Sequence, residues 1–270
     1  MNLEWLRVGV IGVLLVLLAI LGAGCANDAG EEQAPSPMAS DAQSTDWELL
    51  GNSPDMQHHS GLSQINTETV EDLGLAWAID LPTRDGLVGN PLISNGRIFQ
   101  GGSQSQVFAN DLKTGKLLWT YEPLADRPPG SFLETWLRSI NRGVALYEDL
   151  VIVGTSDCRL VAIDQATGGK RWEAETCDGK QNYMITGAPR VGGGKIFIGN
   201  SCADMGLNRG HVDAVDANTG KHLWRFYTVP GDPEKPQDSE LYEMAAKTWG
   251  DGWYEKTRGC GSVWDAMVYD

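Results

Sequence analysis

Three copies of one short phrase constrain the fold of this chain more than any other feature. Each copy reads A-x-D-x-x-T-G-x-x-x-W, with five shared positions in one register. The tryptophans that end the copies are 53 and 52 residues apart, and a fixed period of this size is typical of propellers and solenoids. The three copies are Ala109–Trp119, Ala162–Trp172 and Ala214–Trp224.

Each copy also predicts a β-hairpin. A short alternating run leads into an Asp-x-x-Thr-Gly turn, and a second run ends in the tryptophan. The aspartate can accept hydrogen bonds from N–H groups of the turn, and the glycine can adopt positive φ. The tryptophan offers a large flat surface to a neighbouring unit. The content of 33 glycines and 10 tryptophans suits short strands joined by tight turns.

These hairpins predict an all-β propeller of four-stranded blades over residues 47–270. We expect blades at about residues 90–121, 143–174 and 188–228, with the start of a further blade at 261. A separate strand is predicted over Leu75–Leu81, where it would complete the last blade of a closed ring. Because three blades and a fragment cannot close a ring, we expect a partial chain, rather than an oligomer or an unstable protein.

The first residues indicate export. Arg7 precedes an apolar run over Val8–Leu21, and small residues then lead to Cys25, as in a signal peptide. The ending is similar to a bacterial lipoprotein signal, in which Cys25 is lipidated; an ordinary cleaved signal and an uncleaved anchor are the alternatives. Residues 26–46 are acidic and rich in Pro, Ser and Ala, which predicts a disordered tether. We therefore expect a periplasmic location, with the protein tethered to the membrane through a lipid anchor.

The other four cysteines form an even set, as expected in an oxidising compartment. Cys158 and Cys177 flank the second hairpin and suit a disulfide across it. Cys202 and Cys260 would then pair or stay free. A net charge of −15 argues against a nucleic-acid partner.

Two long insertions separate the predicted blades. They span Glu122–Asn141 and Val229–Gly259. Insertions of this length are uncommon in compact domains unless they are functional. The second carries Trp249 and Trp253 among many charges, which favours a lid or a pocket wall.

The repeat phrase and the stretches between its copies together resemble the quinoprotein (PQQ-dependent) alcohol dehydrogenases. The similarity covers Trp47–Asp270 and implies roughly the N-terminal half of that family's propeller. The matching stretches are Leu62–Trp77, Ile140–Val144, Ile185–Arg190, Ile198–Asp204, Arg225–Asp232 and Gly261–Asp265.

This resemblance implies a cofactor site. PQQ is a flat tricyclic quinone with three carboxylates, so its pocket needs an aromatic platform and cationic or hydroxyl partners. By resemblance, Arg142 lies near the quinone oxygens and Trp264 is the platform beneath the ring. Asp204 takes the place of a glutamate that binds the metal, which implies Ca²⁺ or a lanthanide. The remaining residues that the resemblance places at the cofactor are Thr186, Ser201, Cys202, Ala203 and Ser262.

The chain also departs from the family pattern. Val88 stands where the family has a pocket glutamate, and Trp136-Leu137 stand where many members have two adjacent cysteines. Cys202 and Cys260 occupy positions that are normally glycine, and we hypothesise that they form a replacement disulfide near the cofactor. The family's catalytic aspartate falls beyond the end of this sequence, so no catalytic residue is assigned and the chain alone is not expected to turn over alcohols.

The resulting interpretation is the N-terminal portion of an exported PQQ-dependent dehydrogenase. It would oxidise alcohols and pass electrons to a cytochrome c or a quinone. The alternative from a different class is a non-catalytic PQQ-like propeller lipoprotein that acts as an assembly scaffold in the outer membrane. The lipoprotein-like start and the altered pocket favour this alternative, whereas the matched stretches around Arg142 and Trp264 favour the dehydrogenase.

Overall fold

Three four-stranded antiparallel sheets follow one another along the chain in the computed structural model, which describes residues 46–129, 132–201, 208–264 and 267–269. The predicted signal peptide, Cys25 and nearly all of the tether lie outside the described residues. Each sheet contains one copy of the repeat, so each is one propeller blade, as the repeat predicts. The strands of blade one are β1 (Leu92–Ser94), β2 (Arg97–Gly101), β3 (Val107–Asp111) and β4 (Leu117–Tyr121).

Blades two and three repeat this order. Blade two contains β5 (Val144–Tyr147), β6 (Leu150–Gly154), β7 (Arg159–Asp164) and β8 (Lys170–Glu175). Blade three contains β9 (Arg190–Gly192), β10 (Lys195–Gly199), β11 (His211–Asp216) and β12 (His222–Tyr227).

Burial changes from one side of each blade to the other. The first strand of blade two, β5, lies between β1 and β9, so the first strands of the blades are the inner ones. Strand β6 is buried throughout, whereas the outermost strands β8 and β12 are largely exposed. The core therefore lies between successive blades, in two apolar clusters that blade two shares with blades one and three.

The turn of each repeat is held by its aspartate. Asp164 Oδ1 accepts hydrogen bonds from the backbone N–H of Thr167 (2.8 Å) and from its hydroxyl (2.8 Å), and Gly168 follows at φ 74°. The hydrogen bond from the Thr167 hydroxyl is the main reason that the pKa of Asp164 is lowered. Asp111 and Asp216 make the same two bonds in their own turns. Each hairpin also has a register shift directly after the repeat's alanine, which marks a β-bulge.

The tryptophans of the first two repeats pack on the glycine of the next blade's turn. A Cβ atom added at Gly168 would lie 2.8 Å from the indole of Trp119, and the Nε1–H of Trp119 donates to the Gln165 carbonyl oxygen (3.1 Å). Trp172 likewise packs on Gly220, but its Nε1–H has no hydrogen-bond partner among the described residues. The turn therefore needs glycine for two reasons: the backbone has positive φ, and the indole approaches too closely for a Cβ atom.

The strand predicted over Leu75–Leu81 has no paired strand among the described residues; its expected partners belong to the last blade of the ring, so it stays a prediction. This segment has no assigned secondary structure, and Leu75 is 85% exposed. A strand is defined by pairing, and alternation in one segment cannot supply the second strand. Its tryptophan nevertheless follows the repeat rule, because Trp77 packs on Gly115 and donates to the Leu112 carbonyl oxygen (3.0 Å).

Both long insertions contain helix. Helix α1 (Phe132–Leu137) lies in the first, and α2 (Glu240–Ala246) and α3 (Trp253–Thr257) lie in the second. Buried Glu134 of α1 accepts hydrogen bonds from the Arg138 guanidinium and from the Ser156 hydroxyl of blade two. In the part of the chain that the structure describes, no helix combines the length and apolar character needed to cross a membrane.

A disulfide joins Cys158, ahead of β7, to Cys177, which follows β8. It closes the outer hairpin of blade two at the end opposite to the Thr167–Gly168 turn. The hairpin is therefore fixed at both of its ends.

Candidate cofactor site

Three loops beside the inner strands bring Arg142, Thr186 and Ser201 together. Arg142 precedes β5, Thr186 precedes β9, and Ser201 follows β10. The Arg142 guanidinium donates to the Thr186 hydroxyl (Nη1–Oγ1 2.7 Å), and the backbone N–H of Arg142 donates to the Thr186 carbonyl oxygen (3.0 Å). The hydroxyls of Thr186 and Ser201 are 3.3 Å apart. Three residues that are distant in the sequence thus form one continuous hydrogen-bonded chain.

Trp264 packs against the same guanidinium. The Arg142 Cζ atom lies 4.4 Å from the centroid of the Trp264 ring, which is a cation–π contact. Trp264 remains 46% exposed, whereas Thr186 is 3% exposed. The hydroxyl group of Thr186 is therefore buried within the site, whereas the Trp264 ring is partly open to solvent.

The backbone around Arg142 is held rigidly. Buried Asn141 accepts a hydrogen bond from the Gly143 N–H (2.9 Å) and donates to the Gly154 carbonyl oxygen (3.3 Å). Ser201 is fixed by an antiparallel bridge to Met184, with hydrogen bonds of 2.8 and 3.1 Å. The cationic and hydroxyl groups of the site thus project from a backbone with little freedom.

The segment that carries Trp264 is attached to blade three at several points, among them Asn200, Gly210 and Thr228. The backbone N–H of Val263 donates to the Asn200 carbonyl oxygen (3.0 Å), and the Asn200 Oδ1 atom accepts from the N–H of His211 (2.8 Å). The Ser262 hydroxyl lies 3.4 Å from the Cys260 sulfur. Cys260 is disulfide-bonded, and its predicted partner Cys202 lies outside the described residues.

A charge cluster on β11 and β12 is centred on buried Asp213. Asp213 is 1% exposed and accepts hydrogen bonds from His211 (3.0 Å), His222 (2.6 Å) and Arg225 (2.9 Å). Burial raises the pKa of Asp213, but the hydrogen bonds from His211 and Arg225 outweigh it and leave the pKa below its ordinary value. His211 and Arg225 also both contact the Thr176 carbonyl oxygen, next to the Cys158–Cys177 disulfide.

The structure thus brings four of the predicted residues together, namely Arg142, Thr186, Ser201 and Trp264, with Ser262 two positions away in the chain. Cys202, Ala203 and Asp204 fall outside the described residues, so their predicted roles stay predictions. Among the described residues no group of three or more His, Cys, Asp or Glu side chains is arranged to hold a metal ion. Val88, which stands in place of the pocket glutamate, is 59% exposed.

The donor set fits a flat polycarboxylate. A guanidinium and hydroxyl groups can donate to carboxylate and quinone oxygens, and an exposed indole face can support a planar ring. All of these groups lie at one end of the inner strands. PQQ, which has these chemical features, is therefore compatible with the residues present.

The fold and this site together define a PQQ-type dehydrogenase propeller. Residues 47–270 match the family model described as "Glucose/ethanol/alcohol dehydrogenase, beta-propeller domain". The chain belongs to this family of PQQ-dependent alcohol dehydrogenases.

Individual relatives agree with this assignment. The chain is 46% identical over 261 residues to lupanine 17-hydroxylase [cytochrome c] of a Pseudomonas species. The aligned region covers 96% of this chain and 36% of that relative. It is 42% identical over 237 residues to the dehydrogenase subunit of the alcohol dehydrogenase (quinone) of Gluconobacter oxydans, covering 83% and 31%. The crystal structure of the quinohemoprotein alcohol dehydrogenase of Comamonas testosteroni superposes with a TM-score of 0.75 at 40% identity, covering 86% of this chain and 34% of that one. The chain thus spans about a third of the length of these relatives.

The sequence reasoning missed Asn200, His211 and Asp213. A signal for Asn200 was present, because Gly199-Asn200-Ser201 in blade three corresponds to Gly154-Thr155-Ser156 in blade two. A comparison of the repeats beyond the shared phrase would have found a polar residue at the same place in both blades. The charge cluster had no such signal.

Proposed function

We propose that the whole protein is an exported PQQ-dependent dehydrogenase that oxidises alcohols and passes the electrons to a cytochrome c or a quinone. This chain contributes part of the propeller and the part of the cofactor site described above. The observation that carries the proposal is the convergence of Arg142, Thr186 and Ser201 against Trp264, within a region that matches the family over residues 47–270.

Each of these residues has a role that follows from its chemistry. PQQ, when bound, supplies the two-electron oxidation of the alcohol. The Arg142 guanidinium stabilises the negative charge that develops on reduction, because a fixed cation at a partly buried site is a preorganised electrostatic partner. The hydroxyls of Thr186, Ser201 and Ser262 would donate hydrogen bonds to the carboxylates of PQQ and so fix their positions. Trp264 supports the ring and excludes water from one of its faces.

The metal and the proton acceptor complete the proposal. Asp204 would bind Ca²⁺ or a lanthanide, since hard cations take carboxylate oxygens as ligands. The family resemblance assigns the proton-abstracting aspartate to sequence beyond Asp270, so this chain contributes binding and electrostatics. Metal binding is measurable by equilibrium dialysis of the purified protein, with Asp204→Asn as the variant that should lose it.

The cellular location is part of the same proposal. A signal peptide over residues 1–25, a lipid on Cys25 and a tether over residues 26–46 would hold the propeller at a periplasmic membrane surface. Radiolabelled palmitate should enter the wild-type protein and not the Cys25→Ser variant. Equal labelling of the two proteins would exclude the anchor at this cysteine.

Activity of the native full-length protein tests the proposed reaction. Protein purified from a membrane extract, supplied with PQQ and Ca²⁺, should reduce an artificial electron-acceptor dye when a primary alcohol is added. The reaction should require PQQ. Absence of PQQ-dependent dye reduction with primary and secondary alcohols, despite a correctly folded protein, would contradict the proposal and leave the scaffold role as the better interpretation.

A further inference from the structure

Asn200 connects two parts of the candidate cofactor site that are far apart in the sequence. It precedes Ser201, which belongs to the hydroxyl side of the site. Its backbone carbonyl oxygen accepts the N–H of Val263 (3.0 Å), which precedes Trp264 on the aromatic side. Asn200 therefore links the two sides directly, beside a second link in which the Thr228 hydroxyl donates to the Gly261 carbonyl oxygen (2.6 Å).

The side chain of Asn200 is fixed by one bond. It is 2% exposed, and its Oδ1 atom accepts the backbone N–H of His211 at 2.8 Å. Its Nδ2 atom has no hydrogen-bond partner in the described part of the chain. The bond to His211 is thus the one polar contact that this side chain makes there.

His211 is in turn held in place by its own side chain. The imidazole is 1% exposed and lies between Asp213 (3.0 Å) and the Thr176 carbonyl oxygen (3.1 Å). The N–H that Asn200 accepts is therefore presented by a residue anchored on blades two and three together.

We propose that Asn200 is a positioning residue of the cofactor site, and that its side-chain bond to His211 sets the spacing between Ser201 and Trp264. The proposal rests on the proposed function, because the ligand that the spacing serves is PQQ. Among the described residues, Asn200 itself makes no hydrogen bond to Arg142, Thr186 or Trp264.

Blade two uses the same bond with a different residue. Thr155 follows Gly154 as Asn200 follows Gly199, and the Thr155 hydroxyl accepts the N–H of Arg159, the first residue of β7 (3.0 Å). His211 is likewise the first residue of β11. The repeat therefore shows that a threonine hydroxyl can replace the asparagine amide as the acceptor.

This equivalence gives a matched pair of variants. Asn200→Thr keeps an acceptor for the His211 N–H. In Asn200→Val the side chain has nearly the same shape as threonine but no acceptor. Thr155→Val removes the corresponding bond in blade two and serves as the control for a purely structural loss. If Asn200→Val does not fold, Asn200→Ser and Asn200→Ala make the same comparison.

Two measurements on the purified protein follow. The first uses no cofactor: acrylamide quenching of Trp264 emission, obtained as the difference between each protein and the same protein with Trp264→Phe. The second is the dissociation constant for PQQ, from quenching of tryptophan emission. We expect Asn200→Val to expose Trp264 further and to weaken PQQ binding about tenfold, the effect of one buried hydrogen bond. Asn200→Thr should stay within about twofold of wild type.

The control separates positioning from stability. Thr155→Val should lower resistance to urea and leave Trp264 quenching and PQQ affinity unchanged. Equal Trp264 quenching in the Thr and Val variants would overturn the inference, whether or not PQQ binds. Failure of the wild-type protein to bind PQQ would instead overturn the proposed function, while the comparison without cofactor would still decide the role of Asn200.

Discussion

Replacing Gly168 by alanine tests the contact that joins blade one to blade two. Gly168 has φ 74°, a conformation that costs an L-residue roughly 1–2 kcal/mol. The added Cβ would also lie 2.8 Å from Trp119, and overpacking of this kind costs roughly 1–3 kcal/mol. We therefore expect Gly168→Ala to lower the free energy of unfolding by about 2–5 kcal/mol.

Two other glycines separate these contributions. Gly96 has φ 70°, but nothing lies within 4 Å of a Cβ atom added there, so Gly96→Ala measures the backbone cost alone. Gly169 does not have positive φ, and its nearest contact would be Thr167 Oγ1 at 3.3 Å, so Gly169→Ala should change stability by less than about 1 kcal/mol.

The assay is urea unfolding of the three variants and wild type, followed by circular dichroism. The difference between Gly168→Ala and Gly96→Ala is the cost of displacing Trp119, which we expect to be about 1–3 kcal/mol. Equal losses in these two variants would refute the reasoning, because the repeat glycine would then serve only the turn and not the contact between blades.

Two further predictions concern the cross-links of blades two and three. The double variant Cys158→Ser, Cys177→Ser should lose about 3 kcal/mol of stability in urea, from the entropy of a loop closed over 19 residues; wild-type protein that keeps its urea midpoint after reduction would contradict this. Asp213→Asn should lower stability by about 1.5–3 kcal/mol at neutral pH, because the buried carboxylate can no longer accept a charge-assisted hydrogen bond from Arg225. The pKa of Asp213 is lowered in the fold, so its contribution is present above the ordinary value of about 3.9 and is lost as pH falls through the folded value. The stability gap between wild type and variant should therefore shrink in acid, and a gap independent of pH would be inconsistent with the cluster.

The blades could be predicted from the sequence because their information is local and repeated. The Asp, the Gly and the Trp of each phrase act within one hairpin or on the next one, so a fixed period reports them directly. Glycine at 168 is a clear example, since both its turn and its contact with Trp119 depend on residues at fixed offsets.

The sequence was less informative where a structure depends on a distant partner. Leu75–Leu81 alternates like a strand, yet strand pairing needs a second segment, and none is present among the described residues. Asp213 reads as an ordinary exposed charge on a strand. Its burial is possible because Arg225 and two histidines reach it from neighbouring positions on β11 and β12.

The candidate site could be predicted from the sequence only in part. Arg142, Thr186, Ser201 and Trp264 were chosen by family resemblance, and the structure places them in contact. Asn200 was not chosen, because its role depends on a bond to His211 that no motif specifies.

Equilibrium titration of the purified protein with PQQ tests the central claim most directly, with wild type compared to Arg142→Gln. The wild type should show saturable quenching of tryptophan emission. Arg142→Gln should bind roughly 10- to 150-fold more weakly, because hydrogen bonds to charged groups contribute about 1.5–3 kcal/mol. No saturable quenching by the wild type, or equal affinity of the two proteins, would contradict a PQQ site built on Arg142 and Trp264.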